Sequence, residues 1–288
     1  MVKSGGTTVK HLLHHFFISN NIYRSEYANA EWLDGIEGTK SAKRVMTTGQ
    51  GIIYGGYAEA LRPMVGSGNC KWFTIFRHPA SRLVSAFFYC KYMNRKAPLC
   101  SQGQIDFDTI DILSFAEYWG NYGLRQYALA FISNEEILAS PSSRNCQTCS
   151  AWYMVKQHLQ SLQQQTSNGA FTPSLASNST DEYGLYMMLE STLEIISSRY
   201  TAVGILEDMT KTMRLFDSAL GMDNFNWTVQ SQMAMAANED LKCKDEEHAV
   251  LHEARTNPAI IKYIWLDLIL YEQATEIFAK QVEQYGLE

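Results

Sequence analysis

A buried strand followed at once by a helix occurs twice in this chain, and this alternation limits the folds open to it. Residues 71–76 (KWFTIF) are mostly apolar and aromatic, which predicts a buried strand. Pro79 then stands where a helix begins, because its missing N–H is not needed in the first turn. Residues 201–206 (TAVGIL) predict a second buried strand, and residues 208–220 predict the helix that follows it. Strands that alternate with helices predict an α/β fold with a central parallel sheet flanked by helices. Ligands of such sheets bind beyond the carboxyl ends of the strands.

The remaining elements follow from weaker patterns. Residues 163–182 are polar and contain turn formers, which predicts a surface insertion or linker. Residues 258–285 carry apolar side chains three and four positions apart, so they predict a long amphipathic helix. That helix either packs on the chain's own sheet, which we expect, or binds a partner. A length of 288 residues agrees with a single domain over 1–288. Further helices are predicted over 7–20, 53–62, 111–133 and 150–165, and a short strand over 44–48.

Composition narrows the classes of partner. Lys plus Arg number 24 and Asp plus Glu number 30, so the formal net charge is −6. A net acidic chain is a poor candidate for nucleic-acid binding, which needs clustered Lys and Arg, although a local basic site for a small anion remains open. The sequence has no apolar run of about 18 residues and no signal-peptide pattern. We therefore expect no nucleic-acid partner, no membrane span and a chain that is soluble as given, with any membrane anchor preceding Met1.

The first motif, KSGGTT, opens the predicted helix 7–20. Gly5 and Gly6 let the backbone approach a ligand, and the N–H groups at the start of the helix favour an anion. Lys3 adds a compact positive charge, and Thr7 and Thr8 add hydroxyl donors. These are the parts of a phosphate cradle, although Lys precedes the glycines here and follows them in the common nucleotide loop. The alternative is a glycine-rich turn that only caps the helix.

The second motif, FRHPASRLVSAF, begins where the strand 71–76 ends. Arg77 stands at the carboxyl end of that strand, and Ser85 lies two turns into the next helix. An arginine can bind a phosphate with two parallel hydrogen bonds while a serine hydroxyl donates one more. The alternative is a helix N-terminus with two surface arginines, Arg77 and Arg82.

Together, the two motifs resemble the two cofactor loops of the sulfotransferases that use 3′-phosphoadenosine 5′-phosphosulfate (PAPS). The first matches K-[ST]-G-[GT]-T-T, and the second matches R-x-P-x-x-R-x-x-S, with eight residues from Arg77 to Ser85. The variant FRHPASRLVSAFFY is most similar to the Golgi carbohydrate sulfotransferases, the group that includes heparan sulfate 2-O-sulfotransferase. The later segments VGILEDMTKTMRLFDSAL and WLDLILYEQATEIF also resemble that group. The resemblance implies a P-loop-like three-layer fold.

The resemblance also assigns roles to residues of this chain. It implies that Lys3 neutralises charge on the bridging oxygen during transfer, and that Arg77 and Ser85 bind the 3′-phosphate. The first loop would hold the 5′-phosphosulfate through Lys3, Ser4, Gly5, Gly6, Thr7 and Thr8. PAPS is then the co-substrate, no metal is needed, and the acceptor is a hydroxyl group, expected on a carbohydrate. A small-metabolite sulfotransferase and a nucleotide-binding homologue without strong activity are the alternatives, and a P-loop kinase would require ATP with magnesium.

The general base and the first strand depart from the family pattern. Gln50 stands where the 2-O-sulfotransferase-like pattern has a histidine, and an amide cannot abstract a proton. Other members use a glutamate about twenty residues after the loop lysine, which favours Glu26 as the base. The other candidates are His11, His14, His15 and Glu31. Only Met1 and Val2 precede Lys3, so we expect the strand before the first loop to be missing or truncated.

Cysteines, histidines and glycosylation sequons bear on the compartment. The chain has six cysteines, and the sequence does not establish how they pair. The spacing Cys146-x-x-Cys149 indicates either a disulfide or two free thiols. Two N-x-[ST] sequons begin at Asn178 and Asn226. His11, His14 and His15 lack an evident further ligand, so no metal site is expected. With the family resemblance, the sequons predict a glycoprotein of the Golgi lumen.

Overall fold

The computed structural model describes residues 25–27, 52–54, 70–93, 100, 106–128, 180–221 and 244–287. Four strands lie in these ranges and form two parallel pairs. Strand β1 (Ser25–Tyr27) pairs with β2 (Ile52–Tyr54), and β3 (Phe73–Phe76) pairs with β4 (Ala202–Ile205). The helices are α1 (Pro79–Phe88), α2 (Ile112–Trp119), α3 (Tyr122–Ala128), α4 (Thr180–Arg199), α5 (Met209–Leu220), α6 (Lys244–Thr256) and α7 (Pro258–Gln284).

The predicted strand–helix units are confirmed as local elements. Strand β3 leads into α1, which has Pro79 in its first turn, and β4 leads through a short 3-10 turn, Leu206–Asp208, into α5. Apolar side chains of β4, α5 and α7 share one core with those of β3. The buried hydroxyl of Thr212 closes the end of β4, because it accepts from the Ile205 N–H and donates to the Ile205 carbonyl at 2.8 Å each. The hydroxyl therefore provides hydrogen-bond partners for the N–H and the carbonyl of Ile205, which strand pairing does not satisfy.

A second core lies around α1. Its aromatic side chains include Phe87 and Phe115, which meet edge to face with ring centroids 5.4 Å apart. Helices α2 and α6 both contact α1. A disulfide joins Cys90, in the π-helical turn Tyr89–Met93 that follows α1, to Cys100, and both cysteines are buried.

Loss of this disulfide should destabilise the protein. The bond closes a loop with a sequence separation of 10. In the chain-entropy model a loop of this length contributes about 2–3 kcal/mol to the free energy of unfolding. We therefore expect the double substitution Cys90→Ala and Cys100→Ala to lower the denaturation midpoint, as should dithiothreitol. Cys70→Ser is the matched control, because Cys70 is an exposed free thiol. Equal midpoints for the double variant and the control would contradict this stabilising role.

Three segment predictions are wrong at least in part. Residues 53 and 54 were predicted to begin a helix, but they lie in β2, because the β-branched and aromatic run Ile52–Tyr54 pairs with β1. In the described part of the helix predicted over 111–133 there are two helices. The first ends at Trp119, and Gly120, which has a non-helical ψ of 149°, and Asn121, which has a positive φ of 51°, separate it from the second. The polar stretch 163–182 was predicted as an insertion, but residues 180–182 form the first turn of α4, where Thr and acidic residues are favourable.

Among the remaining segments, one predicted helix is confirmed, two helices were not predicted, and three predicted elements lie outside the described residues. The long C-terminal helix is confirmed as α7, and it contacts β4 of the same chain, as expected. Helix α4 was otherwise missed, as was α6. The predicted elements at 7–20, 44–48 and 150–165 lie outside the described residues. Across the ranges that the structure describes, no helix combines the length and the apolar character needed to cross a membrane.

Candidate functional site

The carboxyl ends of β3 and β4 lie side by side and bring polar residues together. Phe76 and Ile205 are the last paired residues of the two parallel strands. Arg77 and His78 follow the first strand, and the turn containing Glu207 follows the second. This edge is where an α/β sheet binds its ligands. The motif predicted around Arg77 therefore lies at the edge where such a site is expected.

Glu207 makes two hydrogen bonds at this edge. Its Oε1 accepts from the backbone N–H of His78 at 2.9 Å, and its Oε2 accepts from the hydroxyl of Tyr271, in α7, at 3.1 Å. The rings of His78 and Tyr271 meet edge to face, with centroids 5.4 Å apart. The carboxylate thus joins the end of β4 to the turn after β3 and to α7.

The local charges set the protonation of these groups. Burial lowers the pKa of Arg77, and the negative charges of Glu207 and Glu247 oppose that shift. Burial and the positive charge of Arg255 lower the pKa of His78, so its imidazole is neutral at pH 7. Burial and the charge of Glu207 raise the pKa of Tyr271 to about 12, so its hydroxyl keeps its proton and donates. Arg77 remains a cation, because guanidinium groups stay protonated in proteins.

Helix α1 presents one partly exposed face beside Arg77. The N-cap residue, His78, makes no side-chain capping hydrogen bond. Ser81, Ser85 and Tyr89 are partly exposed, four residues apart each, whereas most other residues of α1 are buried. Nη2 of Arg255, near the end of α6, donates to Oγ of Ser81 at 3.3 Å. Arg77, Arg255 and the serine hydroxyls therefore offer donors around the first two turns of α1, a favourable arrangement for an anion.

Arg82 is buried, so it does not have the surface position that the alternative interpretation of the second motif predicted. Arg82 is 8 % exposed, and its guanidinium forms a buried ion pair with Asp267 of α7. Asp267 also accepts from the backbone N–H groups of Gly123 at 3.0 Å and Leu124 at 2.7 Å. A Cβ on Gly123 would meet the Arg82 guanidinium, so a larger residue there would have to displace that group from Asp267. Of the two arginines of the motif, Arg82 supports the fold and Arg77 remains the candidate ligand.

A small cleft opens at this edge. Its walls include Arg77, Arg82, Asp267 and Tyr271, and its cavity volume is about 10 Å³. That volume holds roughly one water molecule, whereas small-molecule sites usually enclose roughly 300–1,000 Å³, so the cleft itself does not enclose a phosphate or a nucleotide. Within the parts of the chain that are described, no cluster of three or more His, Cys, Asp or Glu side chains could hold a metal ion.

The other predicted site residues are placed only in part. Lys3, Ser4, Gly5, Gly6, Thr7 and Thr8 lie outside the described residues, as do His11, His14, His15, Glu31 and Gln50. The backbone of Glu26 lies in β1, paired with Ile53 of β2. Neither Glu207 nor Tyr271 was predicted from the sequence as a site residue. Glu207 follows a predicted strand directly, so the rule that found Arg77 could have found it, whereas Tyr271 carries no local signal.

Comparisons with known proteins do not assign the chain to a family. No protein-family model matches it, and no significant match was found among curated proteins or among solved structures.

Proposed function

We propose that this chain is a PAPS-dependent sulfotransferase with a P-loop-like three-layer fold, and that it transfers a sulfuryl group to a hydroxyl of a carbohydrate. The main support is the position of Arg77 and Ser85 around the start of α1. Arg77 lies at the carboxyl end of β3, immediately before an α1 N-terminus that lacks a side-chain cap, and Ser85 lies on the partly exposed face of that helix. A helix N-terminus, a guanidinium and a hydroxyl together suit a phosphate group.

The 3′-phosphate separates PAPS from the common nucleoside triphosphates. In this proposal Arg77 and Ser85 bind that phosphate, and Lys3, Ser4, Gly5, Gly6, Thr7 and Thr8 bind the 5′-phosphosulfate. The first assignment is supported by the position of Arg77 at the ligand-binding edge of β3. The second rests on the sequence motif alone.

The transfer follows the logic of phosphoryl transfer, in which catalysis is mainly positioning and charge stabilisation. The acceptor oxygen forms a bond to sulfur while the bond from sulfur to the 5′-phosphate oxygen breaks. Lys3 stabilises the negative charge that develops on that bridging oxygen. The proton of the acceptor hydroxyl goes to a general base, for which we propose Glu26, with His11, His14, His15 and Glu31 as the alternatives.

The disulfide supports a place in the secretory pathway. Cys90 and Cys100 are paired and buried, and disulfides persist mainly in oxidising compartments. Together with the sequons at Asn178 and Asn226, which lie outside the described residues, this pair supports a lumen of the secretory pathway. The choice of the Golgi within that pathway rests on the resemblance to the Golgi carbohydrate sulfotransferases.

Substitution of Arg77 tests the 3′-phosphate site. We expect Arg77→Ala to raise the Kd for adenosine 3′,5′-bisphosphate about 10- to 100-fold, the usual effect of losing hydrogen bonds from a charged group. ADP, which has no 3′-phosphate, should bind weakly to the wild type and be unaffected by the substitution. Arg214→Ala is the matched control, because Arg214 is exposed on α5. Calorimetric titration measures all of these constants.

The outcomes separate the candidate functions. Equal binding of ADP and the bisphosphate by the wild type, or no binding of either, would contradict the 3′-phosphate site. Tight binding without turnover of labelled PAPS would indicate a nucleotide-binding homologue. If turnover occurs, a panel of glycans tested beside a panel of small metabolites identifies the class of acceptor.

A further inference from the structure

A single carboxylate connects three elements at the proposed nucleotide site. Glu207, just beyond β4, accepts from the His78 N–H and from the Tyr271 hydroxyl. We propose that Glu207 is a positioning residue, which holds the turn carrying Arg77 in the geometry that binds the 3′-phosphate. This inference rests on the proposed function and adds a residue that the motifs do not contain.

The start of α1 needs an acceptor from elsewhere. In many helices a glutamate or glutamine at the third helical position accepts the N–H of the N-cap residue. The third residue of α1 is Ser81, whose hydroxyl instead accepts from Arg255. Glu207 supplies the missing acceptor for the His78 N–H from the neighbouring strand end. The direction of the chain between Arg77 and Pro79 therefore depends on Glu207.

Tyr271 holds the carboxylate in place. Glu207 is exposed, so its side chain alone could adopt several rotamers. The Tyr271 hydroxyl donates to it, and the Tyr271 ring packs on the His78 ring. The pKa of Tyr271 is about 12, so this donor persists throughout the pH range in which the protein would be assayed. The three groups form a closed contact in which each limits the movement of the other two.

The negative charge of Glu207 indicates what it does not do. A carboxylate repels a phosphate, so Glu207 is not a ligand of the 3′-phosphate. Its contribution is geometric, and a test must therefore keep its charge and change only its reach.

Two charge-conserving substitutions provide that test. Glu207→Asp keeps the carboxylate but shortens the side chain, and Tyr271→Phe removes only the hydroxyl. We expect each to raise the Kd for adenosine 3′,5′-bisphosphate about tenfold, the effect of about 1.4 kcal/mol. Glu276→Asp and Tyr285→Phe are the matched controls, because both residues are exposed near or within the C-terminal half of α7.

A further variant separates positioning from simple stabilisation. All titrations are made at a temperature at which every variant is folded, so a role in stability alone leaves the Kd unchanged. In an Arg77→Ala background, Glu207→Asp should add no further loss, because it acts through Arg77. A wild-type Kd for Glu207→Asp or Tyr271→Phe, or a full additional loss in the Arg77→Ala background, would overturn the inference and leave the proposed function standing. Failure of the wild type to bind the bisphosphate would overturn the proposed function and this inference with it.

Discussion

Replacement of Asp267 by alanine is expected to lower the free energy of unfolding by about 3–5 kcal/mol, the usual cost of removing one partner of a buried ion pair. Asp267 is 3 % exposed and accepts from Arg82 and from the N–H groups of Gly123 and Leu124. Its removal leaves a buried guanidinium and two buried donors without their acceptor. Chemical denaturation of the variant and the wild type measures the difference.

The neighbouring residues provide graded controls. Asp267→Asn keeps an oxygen acceptor but loses the charge that balances Arg82, so its loss should be smaller than that of alanine. Glu276→Ala removes an exposed carboxylate from the same helix and should change stability by less than about 0.5 kcal/mol. If Asp267→Ala were as stable as Glu276→Ala, the ion pair would not support the fold as described.

Substitution of Lys3 by alanine is expected to lower kcat about 10²- to 10³-fold, the typical effect of removing one group that stabilises transition-state charge. In the proposed mechanism the lysine ammonium neutralises charge that appears on the bridging oxygen only as the bond to sulfur breaks. Binding of adenosine 3′,5′-bisphosphate should change less, because that ligand carries no sulfuryl group. Steady-state rates with labelled PAPS and the acceptor found by the panels measure the effect.

Two controls make this result specific. Lys10→Ala removes an equal charge from a position outside the K-[ST]-G-[GT]-T-T motif, and it should retain kcat. Lys3→Arg keeps the charge but changes its shape, so it should recover only part of the rate. A wild-type kcat/KM in Lys3→Ala would remove Lys3 from the mechanism.

Strong local patterns made part of the fold predictable. The aromatic run of β3, the Pro79 start of α1 and the helical spacing in α5 and α7 each fall within one short stretch of chain. Weak local patterns failed. The run Ile52–Tyr54 is short enough to suit a strand or a helix, and pairing with β1 decides between them. Helix α4 begins in a polar stretch whose sequence predicts a loop, so its start was not predictable from the local pattern.

The residues of the candidate site were likewise predictable only where the signal lies in neighbouring positions of the sequence. Arg77 was predicted because it directly follows a strand, but nothing near Arg82 in the sequence indicates a partner 185 residues away. Both arginines are polar residues at the start of one helix, and only the position of α7 makes one of them part of the core. Glu207 and Tyr271 are likewise separated by 64 residues, and their contact depends on the same helix.

The sequence by itself determined the two strand–helix units and the position of Arg77 directly after β3. It could do so because side-chain periodicity and turn residues act over a few neighbouring positions. The tertiary structure alone decided that Arg82 pairs with Asp267, that Glu207 joins His78 to Tyr271, and that the ends of β3 and β4 meet. Those contacts join residues far apart in the chain. Pairing of β3 with β4 brings Glu207 to His78, and burial of the apolar side of α7 against β4 and its neighbours brings Asp267 to Arg82 and Tyr271 to Glu207.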